Sequence, residues 1–452
     1  MPETTHPAAR RKQAGKALRD AVPRAAHAVC RFGKKDRDVL GILRESDDGR
    51  LPGLLPIRYG RMSRSPFAFL RGAAAVMAFD LAKTPVTGVR VQACGDCHLM
   101  NFGGFATPER NLVFDVNDFD ETLPAPWEWD VKRLAASIMV AGRYRNFPAR
   151  DCAEAVHSAV RAYREKLAYY SGIPALEVWH ARIDAADIVE LKTRSNVKRL
   201  HAQAAGRAHV HTAGHALPEM CERVGGKLEI KDNPPLVYHS SARGEYENRL
   251  RAALRQYRDS LPDERRPLLD RYRLVDVAMK VVGVGSVGTR CAVALFLAGG
   301  RDALFLQFKE ARASVLEPYA GRSVYRNHAQ RVVVGQRLMQ SAADLFLGWS
   351  STGTPGFDFY VRQLRDMKTS VNLDRLQPGG FDDYARFCGW ALARAHAKTG
   401  DAAMIAGYLG KSGAFDHALE RFARAYADRT ERDHATLVKA VRSGRLKADP
   451  DA

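Results

Sequence analysis

The sequence has no apolar run approaching the roughly 18 residues that span a bilayer. Its opening stretch, "MPETTHPAARRKQAGKALRDAVPRAAHAVC", is basic and alanine-rich and holds no apolar segment of the kind that directs export. Together these absences lead us to expect a cytoplasmic protein with no membrane partner. Cysteine is sparse, with seven residues at scattered positions in 452, so they read as reduced thiols and not as a disulfide framework. Acidic residues are outnumbered, 51 against 70 Lys and Arg, for a net charge of +19. The excess is spread along the chain in short clusters such as "RRK", "GKKDR" and "DERRP". So diffuse a surplus suits a solvated surface that attracts an anionic ligand such as ATP. Nucleic-acid binding, which calls for a concentrated basic face, is the less favoured reading.

What is present is ordinary for a folded protein: 46% hydrophobic and 27% charged residues. The length suggests two or three structural units. Residues 1–60 read as a basic N-terminal extension. Residues 61–265 read as a helix-rich unit, with "PFAFLRGAAAVMAFDLAK" (66–83) as one helix, a short hairpin over 101–120, and further helices from Trp127 to about residue 260. Residues 266–372 turn β-rich, with three antiparallel strands from about 272 to 311, a helix over 328–349 and a strand at "FDFYVRQL". Residues 373–452 are helical again and are expected to fold back on the first helical unit.

The segment "QACGDCHLMNFGG" (92–104) admits two chemistries. Cys94, Cys97 and His98 spell C-x-x-C-H, a c-type haem attachment pattern. A metal or dithiol site at Cys94 and Cys97 lacks a second pair of ligands. The same letters place Asp96 and Asn101 five apart with His98 between them. That is the spacing of a phosphotransferase loop, in which a carboxylate orients an acceptor hydroxyl and an asparagine holds a metal ion. Asp96 and His98 are therefore the candidate catalytic residues, and Asn101 a candidate Mg²⁺ ligand. A second, anionic ligand is expected from "LVFDVNDFDE", which offers Asp115, Asp118 and Asp120; Asp115 fits the spacing better and Asp118 is its rival.

Distant residues decide between the chemistries. "VVGVGSVGTR" sets Gly283, Gly285 and Gly288 in a G-x-G-x-x-G pattern followed by strand-like and not helical sequence, which points to a hairpin. Such a hairpin, with Ser286 among its residues, can cover nucleotide phosphates with backbone amides. The next strand, "LFLQFKEA", carries Lys309, a cation that needs an anion if buried. These residues support a nucleotide and not a haem, with ATP and Mg²⁺ as the expected cofactors. The lysine's customary glutamate partner is missing, because no glutamate occurs between residues 318 and 419. Glu310 and Glu317 lie too near Lys309 for the ordinary spacing, which leaves Glu317 from an unusual helix start, Gln330, Gln336 or an acidic residue elsewhere to orient the lysine. Arg58, Arg61 and Arg71 could hold an anionic substrate or serve as surface and salt-bridge residues.

Taken together, "RGAAAVMAFDLA", "GDCHLMNFGG", "VFDVNDFDET", "WEWDVKRLAAS", "VVGVGSVGTR" and "FLQFKEA" resemble the bacterial family known as domain of unknown function 2252, over roughly residues 55 to 435. Its motifs are in turn similar to those of the kinase-like superfamily, especially the aminoglycoside and choline phosphotransferase branch with its H-G-D-x-H-x-x-N loop. Cys94 replaces the first histidine of that pattern; Gly95, Asp96, His98 and Asn101 match it. The resemblance implies an α+β, two-lobed kinase-like fold, circularly permuted because the catalytic loop precedes the glycine-rich loop. It implies a phosphotransferase with an unidentified small acceptor, or else a nucleotidyltransferase or a nucleotide-binding pseudoenzyme. Asp130 would then match a structural aspartate, though a helix N-terminus favours an aspartate in any case.

Overall fold

The computed structural model describes residues 7–30, 37–184, 213–239, 243–299, 302–351, 356–364 and 371–449. Helix α1 (Ala8–Ala21) is followed by α2 (Val39–Asp47), α3 (Leu55–Ser63), α4 (Pro66–Gly72) and α5 (Ala74–Leu81). The sequence specifies the start of α4: the Ser65 hydroxyl accepts the Ala68 amide at 3.1 Å, and Pro66 occupies the first turn. The single helix expected over 66–83 is broken at Ala73, where φ is −113° and ψ is 38°. Two guanidiniums explain the break. Arg133 donates to the Leu70 carbonyl at 2.6 Å and Arg58 to the Gly72 carbonyl at 3.1 Å, occupying acceptors that a continuous helix would use internally.

Four short strands come next: β1 (Arg90–Ala93), β2 (Phe102–Ala106), β3 (Leu112–Val116) and β4 (Leu123–Pro126). β2 and β3 form the anticipated hairpin, with Phe102 opposite Val116. β1 pairs with β4, and Ala93 faces Leu123, so the loop leaving β1 lies beside the turn entering β4. Those two segments carry the acidic motifs. Helix α6 (Trp127–Tyr144) is buried along every face from Trp127 to Gly142, which marks it as the central helix, and α7 (Ala149–Tyr170) packs against it.

The expected run of helices to residue 260 falls partly on 185–212, outside the described residues. Beyond it the expectation is corrected by β5 (Cys221–Val224) and β6 (Lys227–Ile230), a hairpin turning on Gly225 and Gly226. Their φ values of 56° and 81° are the left-handed pair that a two-residue turn requires. Strands β7 (Val237–Tyr238), β8 (Arg273–Lys280), β9 (Cys291–Ala298) and β10 (Asp302–Ala311) precede helix α8 (His328–Met339), and β11 (Gly348–Ser351) and β12 (Asp358–Gln363) follow it. All six form one antiparallel sheet in the order β11-β12-β10-β9-β8-β7. Leu304, Leu306 and Phe308 pack on one face with Tyr257, while Ala303 and Phe305 pack on the other with Ile230. Alternation places Lys309 on the second of these faces. The helix expected over 328–349 ends at Met339, because the Ser341 amide turns away to bind the Asp115 carboxylate at 2.8 Å.

Helices α9 (Pro378–Thr399), α10 (Ala402–Leu409) and α11 (Ala414–Arg442) return to the first part of the chain. α9 lies along α7, and α11 along α6 and α7, in one core that runs from Phe67 to Ala427. α1 docks on α10 through a close backbone crossing: a Cβ on Gly15 would stand 1.9 Å from the Met404 carbonyl oxygen, and one on Gly407 2.1 Å from that of Lys12. The protein is thus a mixed α+β structure, 53% helical, with small antiparallel sheets. Among the described residues no helix is long and apolar enough to cross a membrane.

Candidate functional site

Helix α6 positions the loop 94–101 with two side chains one turn apart. The Asp130 carboxylate accepts the amides of Cys94 at 2.6 Å and Gly95 at 3.0 Å, and His396 Nε2 lies 3.3 Å from it. Arg133 donates through Nε and Nη2 to Asp96 Oδ1, at 2.8 and 2.6 Å. One aspartate oxygen is therefore fixed, while Oδ2 stands 3.9 Å from His98 Nε2, beyond hydrogen-bond reach. Gly95 has φ of 85°, and a Cβ there would fall 2.3 Å from the Glu121 carbonyl oxygen, so the tight approach requires glycine. Asn101 commits its Nδ2 to the Asp96 carbonyl at 2.6 Å, which leaves its side-chain oxygen for another partner. Burial first, then Arg71 and Arg133, push the His98 pKa well below its ordinary value, so the ring is neutral. Both Cys94 and Cys97 are buried thiols within the core.

The acidic run after β3 divides. Asp115 is fully buried: Arg394 Nη2 lies 2.8 Å from each of its oxygens, and the Ser341 hydroxyl donates at 2.9 Å. It does not line the cleft, so the preference for Asp115 as metal ligand is corrected: its oxygens are consumed by fixed protein donors. Asp118 lines the cleft and keeps 37% of its side chain exposed. Lys309 from β10 reaches across to this run, with Nζ 2.5 Å from Asp120 Oδ2 and 3.7 Å from Asp118 Oδ1. Tyr360 donates to Asp120 Oδ1 at 2.7 Å and Ser286 to Oδ2 at 3.2 Å. Burial opposes ionisation of Asp120, but Lys309 and Tyr360 hold its pKa below the ordinary carboxylate value. Asp118 shifts upward, through burial and then the charge of Asp120. Lys309 thus pairs with two aspartates and not with a glutamate. Glu310 instead pairs with Arg290 at 3.2 Å, Glu317 accepts the Ser314 amide at 3.2 Å, and Gln336 bonds Gln340 at 2.8 Å.

The glycine-rich segment joins β8 to β9, the hairpin that its sequence implied. Arginines from the N-terminal part of the chain brace it through its carbonyls. Arg61 donates to Gly283 at 2.6 Å, and Arg50 to Gly285 at 2.9 Å and Val287 at 2.5 Å. Asp96, His98, Asn101, Asp118, Gly283, Gly285 and Ser286 line one cleft of about 320 Å³. Gly288 lies off it, against Arg50, and Lys309 sits beneath its acidic floor, 3% exposed.

Residues 50–440 match the family described as an uncharacterized protein conserved in bacteria, DUF2252. The chain belongs to that family. No curated protein and no solved structure matches it. The family match contains the whole cleft lining from Arg50 to Tyr319 except Ile42, Glu45 and Ser46.

Two residues of the site, Arg133 and Tyr360, were not among those expected from the sequence, and a third, Asp120, was expected only as a candidate metal ligand. Arg133, Asp120 and Tyr360 hold Asp96 and Lys309 in place. The spacing of Asp130 and Arg133, three apart on a helix, is the one signal that could have revealed the first. For a metal, Asp118 and the Asn101 oxygen form an incomplete set, and among the described residues no cluster of three or more His, Cys, Asp or Glu could hold one. Such a set fits Mg²⁺, which keeps several waters and takes phosphate oxygens from its substrate.

Proposed function

We propose that the protein is an ATP- and Mg²⁺-dependent phosphotransferase of kinase-like type, with a circularly permuted two-lobed fold, acting on a small hydroxyl-bearing acceptor. The observation that carries this reading is the shared cleft: Asp96, Asn101 and Asp118 line it together with Gly283, Gly285 and Ser286 from a distant part of the chain. The order of glycine hairpin, lysine strand β10 and helix α8 supports it, being the order of the kinase nucleotide-binding half. Phosphoryl transfer asks a protein mainly for positioning and charge neutralisation. Asp96, with Oδ1 anchored by Arg133, would use Oδ2 to orient the acceptor hydroxyl and take its proton. Asn101 and Asp118 would hold Mg²⁺, which supplies charge neutralisation at the phosphates when bound. The hairpin amides would face the phosphates, and Lys309, freed from part of its carboxylate neighbourhood, would add positive charge beneath them.

Thermal unfolding with ATP, with and without Mg²⁺, tests this. A ligand at about 100 times its Kd stabilises the folded state by about 2.7 kcal/mol, a rise in Tm of at most several degrees for a chain of this size. The expected result is a Mg²⁺-dependent rise that Asp118→Asn abolishes. No rise at millimolar ATP in the wild type rejects the reading. Release of ADP and not pyrophosphate from a turnover mixture would separate phosphoryl from nucleotidyl transfer.

A further inference from the structure

Four arginines line the cleft: Arg50, Arg58, Arg71 and Arg312. Three have acceptors. Arg50 bonds the Ser46, Gly285 and Val287 carbonyls, Arg58 pairs with Asp47 at 2.6 Å, and Arg312 bonds the carbonyls of Ser46 and Asp48. Arg71, in the last turn of α4, differs. Its Nε is buried without a hydrogen-bond partner, and among the described residues its guanidinium meets only the Phe67 ring, 6.0 Å away. A guanidinium presents five donors, and leaving them unmatched in a partly desolvated place is unfavourable.

Its surroundings say what it would meet. Arg71 acts electrostatically on Asp96, Asp118 and His98, which puts it on the catalytic-loop side of the cleft. Its own carbonyl oxygen lies 3.2 Å from where a Cβ on Gly285 would stand, so the end of α4 touches the glycine hairpin as well. On the other side, Lys309 and the hairpin amides already provide for nucleotide phosphates. Burial lowers the Arg71 pKa from its ordinary value, and the carboxylates of Asp96 and Asp118 oppose that shift. We infer that Arg71 is the binding residue for an oxyanion, a phosphate or carboxylate group, carried by the acceptor whose hydroxyl meets Asp96. Guanidinium and oxyanion match in a two-pronged geometry that an ammonium does not reproduce. The acceptor is then an anionic alcohol. The word acceptor rests on the phosphotransferase reading; the anion site does not.

Calorimetric titration of the full chain tests this with inorganic phosphate, glycerol 3-phosphate, D-glycerate and glycerol, each with and without saturating Mg²⁺ and a non-hydrolysable ATP analogue. At least one of the three anions is expected to bind alongside the nucleotide analogue, and glycerol is not. Comparing glycerol 3-phosphate with D-glycerate tells phosphate from carboxylate recognition. Arg71→Gln should weaken binding about ten-fold or more, and Arg71→Lys, which keeps the charge and the fold, should weaken it less. Unchanged affinity in both variants, or no anion binding, overturns the site. Competition between anion and nucleotide analogue assigns Arg71 to the nucleotide and overturns the acceptor role. Arg71-dependent anion binding without nucleotide binding would overturn the acceptor role together with the phosphotransferase reading.

Discussion

Asp115 and Asp118 stand three residues apart, yet they serve opposite purposes. Asp115, at the end of a strand, faces the core, where Arg394, Ser341 and the Val116 amide take up both of its oxygens. Asp118, in the turn beyond, faces the cleft, with Lys309 at 3.7 Å as its nearest cation. A carboxylate saturated by fixed donors holds elements together. One with an open oxygen beside other acids has electrostatic reason to take a cation. The same contrast separates Asp96, anchored by one oxygen only, from Asp130, whose two oxygens are spent on backbone amides.

The largest effect expected from this contrast is in the core. Arg394→Ala strands the buried Asp115 carboxylate and should lower the free energy of unfolding by about 3–5 kcal/mol, read by urea titration. Asp118→Asn, by contrast, should cost less than about 1 kcal/mol, since it alters a long ion pair at a partly exposed carboxylate and leaves Lys309 its closer partner Asp120. Similar losses in the two variants would erase the distinction between them. Asp96→Asn sharpens it at the level of function: turnover should fall by about 10²–10⁴-fold while Mg²⁺–ATP affinity stays within about two-fold, measured by ADP-release kinetics and calorimetry.

A further expected effect is a pH dependence. Burial raises the Glu121 pKa to about 7 from an ordinary value of 4.5, although the Val315 amide, donating at 2.7 Å, and Arg331 oppose the shift. The folded protein thus holds this proton more tightly than the unfolded chain does. Stability conferred by that proton is present below about pH 4.5 and is lost as pH rises to about 7. Glu121→Gln, which can still accept the Val315 amide, should flatten that decline. The variant should gain on the wild type between urea titrations at pH 5 and pH 8. Parallel pH profiles would remove Glu121 from the set of groups strained by the cleft.

Much of this was legible in linear order because it depends on neighbours along the chain. The tight loop from Gly95 to Asn101, the hairpin of β2 and β3, and the glycine turn between β8 and β9 follow from glycine positions and alternating apolar residues. Even the overlooked hairpin at 221–230 announced itself by its Gly-Gly turn between polar–apolar alternations. Two helix ends were illegible for one reason: distant side chains captured their backbone groups. Arg133 and Arg58 took carbonyls of α4, and Asp115 took the amide after α8.

The sequence by itself determined a family, a mixed architecture and the two short motifs that face each other, since each of these is encoded in local spacing and composition. Only the tertiary structure decided that Asp115 is structural, that Asp120 and Asp118 answer Lys309, and that Arg71 is left without an acceptor among the described residues. Those outcomes depend on which donor reaches which acceptor first. Residues as far apart as 189 and 279 positions settle that competition when they fold into contact.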